Sequence, residues 1–143
     1  MNIKNKIKFP KIISQKKIEN FFINLGLKNL VVLSKNRSQD VNELVTKNIY
    51  KPELLDLYRL FQFVRLNKRT TILEFGSGWS SLVMSIAMME NKKRYNKIIF
   101  KLRRNNPFEI FSVDNEKKYL SITKKRITNF FSDKKKKSFF NKN

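Results

Sequence analysis

Apolar and polar positions divide the chain into stretches of helical and strand-like period. From Lys16 to about Leu27, Ile18, Phe21, Phe22 and Leu25 recur at i, i+3, i+4 and i+7, which predicts an amphipathic helix ending near Gly26. Leu30-Val31-Val32-Leu33 is an apolar run that reads as either a short strand or a linker. Residues 34–50 are polar, with a short helix expected around Val41 to Val45. Pro52 suits a first helical turn, where its missing N–H costs nothing. Leu54, Leu55, Tyr58, Phe61, Val64 and Leu66 then form a broad apolar surface, with Asn67 as the stop.

The pattern changes at Thr71. Thr71 to Phe75 is a short β-rich run, broken by Gly76-Ser77-Gly78, and a helix is expected from about Trp79 to Met89 with Leu82, Val83, Ile86, Ala87 and Met89 facing a core. A second, separate amphipathic helix is expected over Lys92 to Arg104, from Tyr95, Ile98, Ile99 and Leu102, and Pro107 ends it. Glu109 to Val113 forms another short strand that ends in Asp114. Tyr119, Leu120, Ile122, Ile127 and Phe130 predict a helix over about Glu116 to Phe131. The expected organisation is a basic, helical and irregular lead-in (1–51), one folded unit (52–131) and a solvated, disordered lysine-rich tail (132–143) containing Lys134 to Lys137. The chain shows no internal repeat.

Composition narrows the chemistry. A chain of 143 residues, 41% hydrophobic, allows one domain with a modest core. It has no cysteine and no histidine, which removes disulfides, thiolate metal sites, cysteine nucleophiles, the commonest general base and the commonest zinc ligand. A metallohydrolase or a Ser-His-Asp hydrolase is thereby excluded, and no metal site is expected. No apolar run approaches the roughly 20 residues of a membrane span, and residues 1–13 lack an apolar signal-peptide region; the cytoplasm is the expected location. The net charge of +21 fits a polyanion partner. It fits better a composition rich in Lys, Asn, Ile and Phe, which all have AT-rich codons, because the charges are dispersed and not gathered on one stripe.

Two of the chain's three glycines stand together in Gly76-Ser77-Gly78. A strand that turns through glycines into a helix N-terminus brings backbone N–H groups against the polar part of a nucleotide-like cofactor. The order helix, strand, glycine turn, helix, strand, acid, helix is the first half of a nucleotide-binding α/β sheet with a parallel crossover. Asp114, at the end of the second strand, lies at the same sheet edge as the turn, where an acid can accept two hydrogen bonds from vicinal ribose hydroxyls. Asp is also a favoured helix N-cap, and the two roles are compatible.

The segment Thr71-Ile72-Leu73-Glu74-Phe75-Gly76-Ser77-Gly78-Trp79-Ser80 resembles motif I of the class I S-adenosylmethionine-dependent methyltransferases. Phe111-Ser112-Val113-Asp114-Asn115 resembles that family's second-strand motif. The resemblance covers about Pro52 to Phe131. It implies a partial Rossmann-like methyltransferase fold, the first β-α-β-α unit, preceded by N-terminal helices and with an incomplete sheet. It implies S-adenosyl-L-methionine as cofactor. Gly76 and Gly78, with Ser77 between them, would line its methionine and ribose portions. Glu74 would orient the turn and the cofactor's amino group, Asp114 would hold the ribose, and Asn115 would lie near the adenine. Ser80 stands where a third glycine is common. The distance from Gly78 to Asp114 is about twice the roughly 20 residues usual between turn and acid, which the extra helix at Lys92–Arg104 accounts for. Trp79 is expected to pack at the helix start, and Ser80 and Ser81 to donate to local backbone or to the cofactor carboxylate.

Acceptor-binding and catalytic groups of that family follow the fourth strand, so no catalytic residue and no methyl acceptor is assigned. A sheet lacking its later strands would leave a strand edge and apolar faces open, to be covered by a complementing chain or an oligomer. The lysine run near the end suggests a truncated or split reading frame. Two functions are therefore expected: a partial S-adenosylmethionine-dependent methyltransferase, or a small basic nucleic-acid-binding protein without catalytic activity.

Overall fold

The computed structural model describes residues 6–35, 51–101 and 107–140, with side chains described as far as 134. Among the described residues the chain is a mixed α/β structure of five helices and one two-stranded parallel sheet. Helix α1 spans Gln15–Asn24. It ends in a Schellman turn, in which Gly26 N–H donates to the Ile23 carbonyl and Leu27 N–H to the Phe22 carbonyl, both at 2.9 Å. Gly26 takes the left-handed conformation this requires, at φ 86°.

Helix α2 covers Lys28–Lys35, so the run Leu30 to Leu33 is neither strand nor linker. Its period is decided by packing: Leu30 and Val31 are buried in the core, while Val32 and Leu33 are exposed. The helix expected around Val41 to Val45 lies outside the described residues. Helix α3, Leu54–Leu66, closes with the same hydrogen-bond pattern as α1, Lys68 N–H to the Arg65 carbonyl and Arg69 N–H to the Val64 carbonyl. Here Lys68 holds the left-handed position, at φ 49°, where glycine is the usual occupant.

Strand β1 is Thr71–Phe75 and strand β2 is Glu109–Val113, as their short β-rich patterns predict. They pair in parallel, Thr71 opposite Glu109 through Phe75 opposite Val113. A parallel pair needs a long crossover, which α4 supplies as one continuous helix, Trp79–Ile99. The separate helix expected over Lys92 to Arg104 is thus the second half of α4 as far as Ile99; Leu102 and Arg104 lie outside the described residues. Helix α5 runs Lys117–Phe140, well past the stop expected near Phe131. Lys134, expected in a solvated tail, sits on this helix with its ammonium 4.8 Å from the centre of the Phe130 ring. Partial burial and the nearby Lys93 lower its pKa.

The core joins α1–α3 to α4. Ile18, Phe22, Leu30, Leu54, Leu82 and Val83 are almost completely buried. The Phe21 ring meets Phe22, Tyr58 and Phe61 edge-on, with centroids 4.9–5.2 Å apart, an arrangement that aromatic quadrupoles favour. Asn91, fully buried, ties α4 to α3. Its Nδ2 donates to the Val64 and Arg69 carbonyls and its Oδ1 accepts from Arg65, whose Nε also lies 2.9 Å from Glu90.

Strand alternation divides the sheet into two unlike faces. Ile72, Glu74, Ile110 and Ser112 are half-buried on one, and Ile72 and Ile110 pack against the core. Leu73, Phe75, Phe111 and Val113 alternate with them and are 60%, 82%, 41% and 55% exposed. No helix of the described residues is long and apolar enough to cross a membrane.

Candidate functional site at the glycine turn

The chain leaves β1 through Gly76, whose φ of 99° suits glycine and strains other residues. Its N–H donates to the Val113 carbonyl at 2.7 Å, which carries the parallel ladder one residue beyond the strands. The turn is thereby fixed against the end of β2. A Cβ built on Gly76 or Gly78 would meet nothing within 4 Å. Gly78 is extended, so neither packing nor a left-handed φ calls for glycine there. The space beside its backbone is open to a ligand.

Asp114 reaches the same place from β2. Its Oδ2 accepts from Ser77 Oγ at 2.7 Å and its Oδ1 accepts from the Glu116 N–H at 2.9 Å. These bonds, the Glu116 N–H first and the Ser77 hydroxyl second, hold its carboxyl below the usual carboxylate range. The second-strand acid and the glycine turn are joined directly, across 37 residues of sequence. The N-cap position of α5 is Glu116, whose carbonyl accepts from Tyr119 and Leu120 N–H, so Asp114 closes an Asx turn just before the helix instead of capping it. Each carboxylate oxygen retains a further lone pair for a donor. Asn115 follows as an exposed residue.

Glu74 is engaged within the protein. Ser80 Oγ donates to its Oε1, and Ser81 Oγ, at 2.5 Å, and Ser112 Oγ, at 3.1 Å, donate to its Oε2. Ser81 Oγ also accepts from the Gly78 N–H at 3.1 Å. A carboxylate at the end of β1 therefore holds the first turn of α4 and the middle of β2 together. This ties the strand to the turn that follows it. It also corrects the expectation for Ser80 and Ser81, whose acceptor is a side-chain carboxylate on the preceding strand.

Trp79 packs against the core from the helix start, as expected. Its ring also carries the Arg126 guanidinium, 3.9 Å from the ring centroid. Sequence reading did not single out Arg126, Ser112 or Asn91. Ser112 was findable, since it shares the helix-facing parity of Glu74 on the paired strand. The partners of Asn91 are carbonyls more than 20 residues away and leave no sequence signal.

Comparisons with models of known protein families, with curated proteins and with solved structures find no match.

Proposed function

We propose that this chain binds S-adenosylmethionine at the glycine turn, as the first β-α-β-α unit of a Rossmann-like methyltransferase fold. The observation that carries the reading is the meeting of Ser77 and Asp114 beside the open space at Gly76 and Gly78. The sequence motifs at Thr71–Ser80 and Phe111–Asn115 support it, as do the parallel pairing of the two strands and the α4 crossover.

When bound, the cofactor supplies an electrophilic methyl group on a sulfonium. The chain's own residues do the binding. Asp114 offers its remaining lone pairs to vicinal ribose hydroxyls, and Gly76 and Gly78 let the backbone approach without side-chain interference. Glu74, saturated by three serine hydroxyls, keeps the turn in one conformation, so little ordering is left for the ligand to induce. The bare sheet face formed by Leu73, Phe75, Phe111 and Val113 supports a further covering layer, contributed by another segment or by a complementing chain.

Equilibrium dialysis with radiolabelled S-adenosylmethionine tests the reading. Saturable binding is expected, weakened about tenfold or more by Asp114→Ala, since a hydrogen bond to a charged group contributes about 1.5–3 kcal/mol. Absence of saturable binding, with the unfolding transition intact, would overturn it. Titration of the same sample with oligonucleotides tests the competing nucleic-acid function, whose affinity falls steeply with salt.

A further inference from the structure

A second feature lies on the helix side of the glycine turn. A cleft of about 620 Å³ opens between the start of α4, the middle of α5 and the residues that lead into α3. Its walls are partly apolar, with Leu57 and Ile122 among them. Its polar groups are Lys51, Tyr119, Thr123, Arg126 and the Ser77–Ser80 segment; among the described residues no acidic side chain lines it.

One of these groups lacks the partner that folding normally provides. Arg126 is withdrawn in part from water and lies over Trp79, its guanidinium carbon 3.9 Å from the ring centroid, yet it forms no ion pair among the described residues. Thr123 is only 5% exposed and lines the cleft one helical turn before Arg126. A guanidinium offers a planar fork of N–H donors that matches the oxygens of carboxylates and phosphates.

We propose that this cleft binds an organic anion, a carboxylate or phosphate ester on an apolar body, with the Arg126 guanidinium and the Thr123 hydroxyl as donors and Lys51 as a second cation. The apolar walls take the body, and the anion compensates the cations, which meet no lining acid among the described residues. This goes beyond the cofactor reading and stands without it. Asp114 is not part of the cleft, although Ser77 and Gly78 are shared.

Trp79 is the chain's only tryptophan and lines the cleft beneath Arg126, so its fluorescence reports occupancy. The full chain is titrated at constant ionic strength with phenyl phosphate, benzoate, inorganic phosphate and benzyl alcohol. The two aromatic anions are expected to change the emission saturably, the stronger of them identifying the head group. Inorganic phosphate should bind more weakly and benzyl alcohol should give no saturable change.

Arg126→Gln is expected to weaken the preferred anion about tenfold or more, and Thr123→Val about threefold to tenfold. Lys97→Gln, at the far end of α4, removes one charge and should leave the affinity within about twofold, because a distant exposed charge is screened. No saturable change with either aromatic anion overturns the proposal, as does an equal loss in Lys97→Gln and Arg126→Gln. If Arg126→Gln shifts the unfolding midpoint, the near-isosteric Thr123→Val decides, and wild-type affinity in that variant refutes the site. Asp114→Ala should weaken cofactor binding about tenfold or more while phenyl phosphate binds as in wild type, so failure of either reading is distinguishable from failure of the other.

Discussion

The two faces of the β1–β2 sheet are built from the same ten residues, yet they have opposite relations to the rest of the molecule. One face carries Ile72 and Ile110 against the core and the Glu74–Ser112 pair against the first turn of α4. The other presents Leu73, Phe75, Phe111 and Val113 to solvent. By side-chain chemistry alone the outward face is the more hydrophobic. Apolar character therefore does not decide which face is buried here. That choice follows from where α4 and α5 pack, and the polar groups of the inward face are tolerated because every one of them is hydrogen-bonded.

The sharpest way to break the comparison is to truncate one residue beneath each face. Leu82→Ala, at a side chain 1% exposed in α4, should cost about 2–5 kcal/mol in urea unfolding. Phe75→Ser should change stability by no more than about 0.5 kcal/mol, while reducing self-association in sedimentation. An equal loss from both substitutions would show that the outward face is covered in solution.

A smaller effect is expected at the polar centre of the inward face. Glu74→Gln keeps the shape but cannot accept from three serines as a carboxylate does, and should cost about 1–3 kcal/mol. A two-state urea titration measures it. Ser80, Ser81 and Ser112 singly replaced by alanine should each cost less than Glu74→Gln, because each removes only one donor.

The smallest effect concerns Asp114, at the rim where the two faces meet. Its carboxyl titrates below its usual value in the folded chain, so its stabilising contribution is complete above the unfolded value near 3.8 and is lost as pH falls through the lower, folded one. Cofactor binding is accordingly expected to keep its Asp114 dependence unchanged from pH 7 down to about pH 4. Dialysis of wild type and Asp114→Asn across that range checks the sign. A loss of binding already complete at pH 5 in wild type alone would contradict it.

Much of this was legible from local pattern. Both strands lie where short β-rich runs bounded by a glycine turn and by Asp114 predict them, because a five-residue strand is specified by its immediate neighbours. The placing of Asp114 beside the glycine turn was implied by that order of elements, and its bond to Ser77 was not. Helix continuity was less accessible. The polar stretch Glu90-Asn91-Lys92-Lys93 reads as a break between two helices, whereas Asn91 is buried there and supplies donors to carbonyls of the preceding helix end. Leu30 to Leu33 shows the complementary failure. Four apolar residues fit either period, and only the packing of Leu30 and Val31 beside Phe22 and Leu54 selects a helix. The continuation of α5 past Phe131 was hidden by a lysine-rich composition, although lysine is itself a good helix former.

The hydrogen bond between Ser77 and Asp114 has a consequence for selectivity. The acid is already in use before any ligand arrives, so an incoming hydroxyl that merely replaces Ser77 exchanges one O–H donor for another and gains almost nothing. A ligand that brings two adjacent hydroxyls fills lone pairs that Ser77 and Glu116 leave vacant, and only it comes out ahead. The same occupied carboxylate repels an anionic substituent at that position. If the site binds the proposed cofactor, an internal contact that looks like simple bracing would act as a filter, favouring an unmodified vicinal diol over a deoxy sugar and over a phosphorylated one.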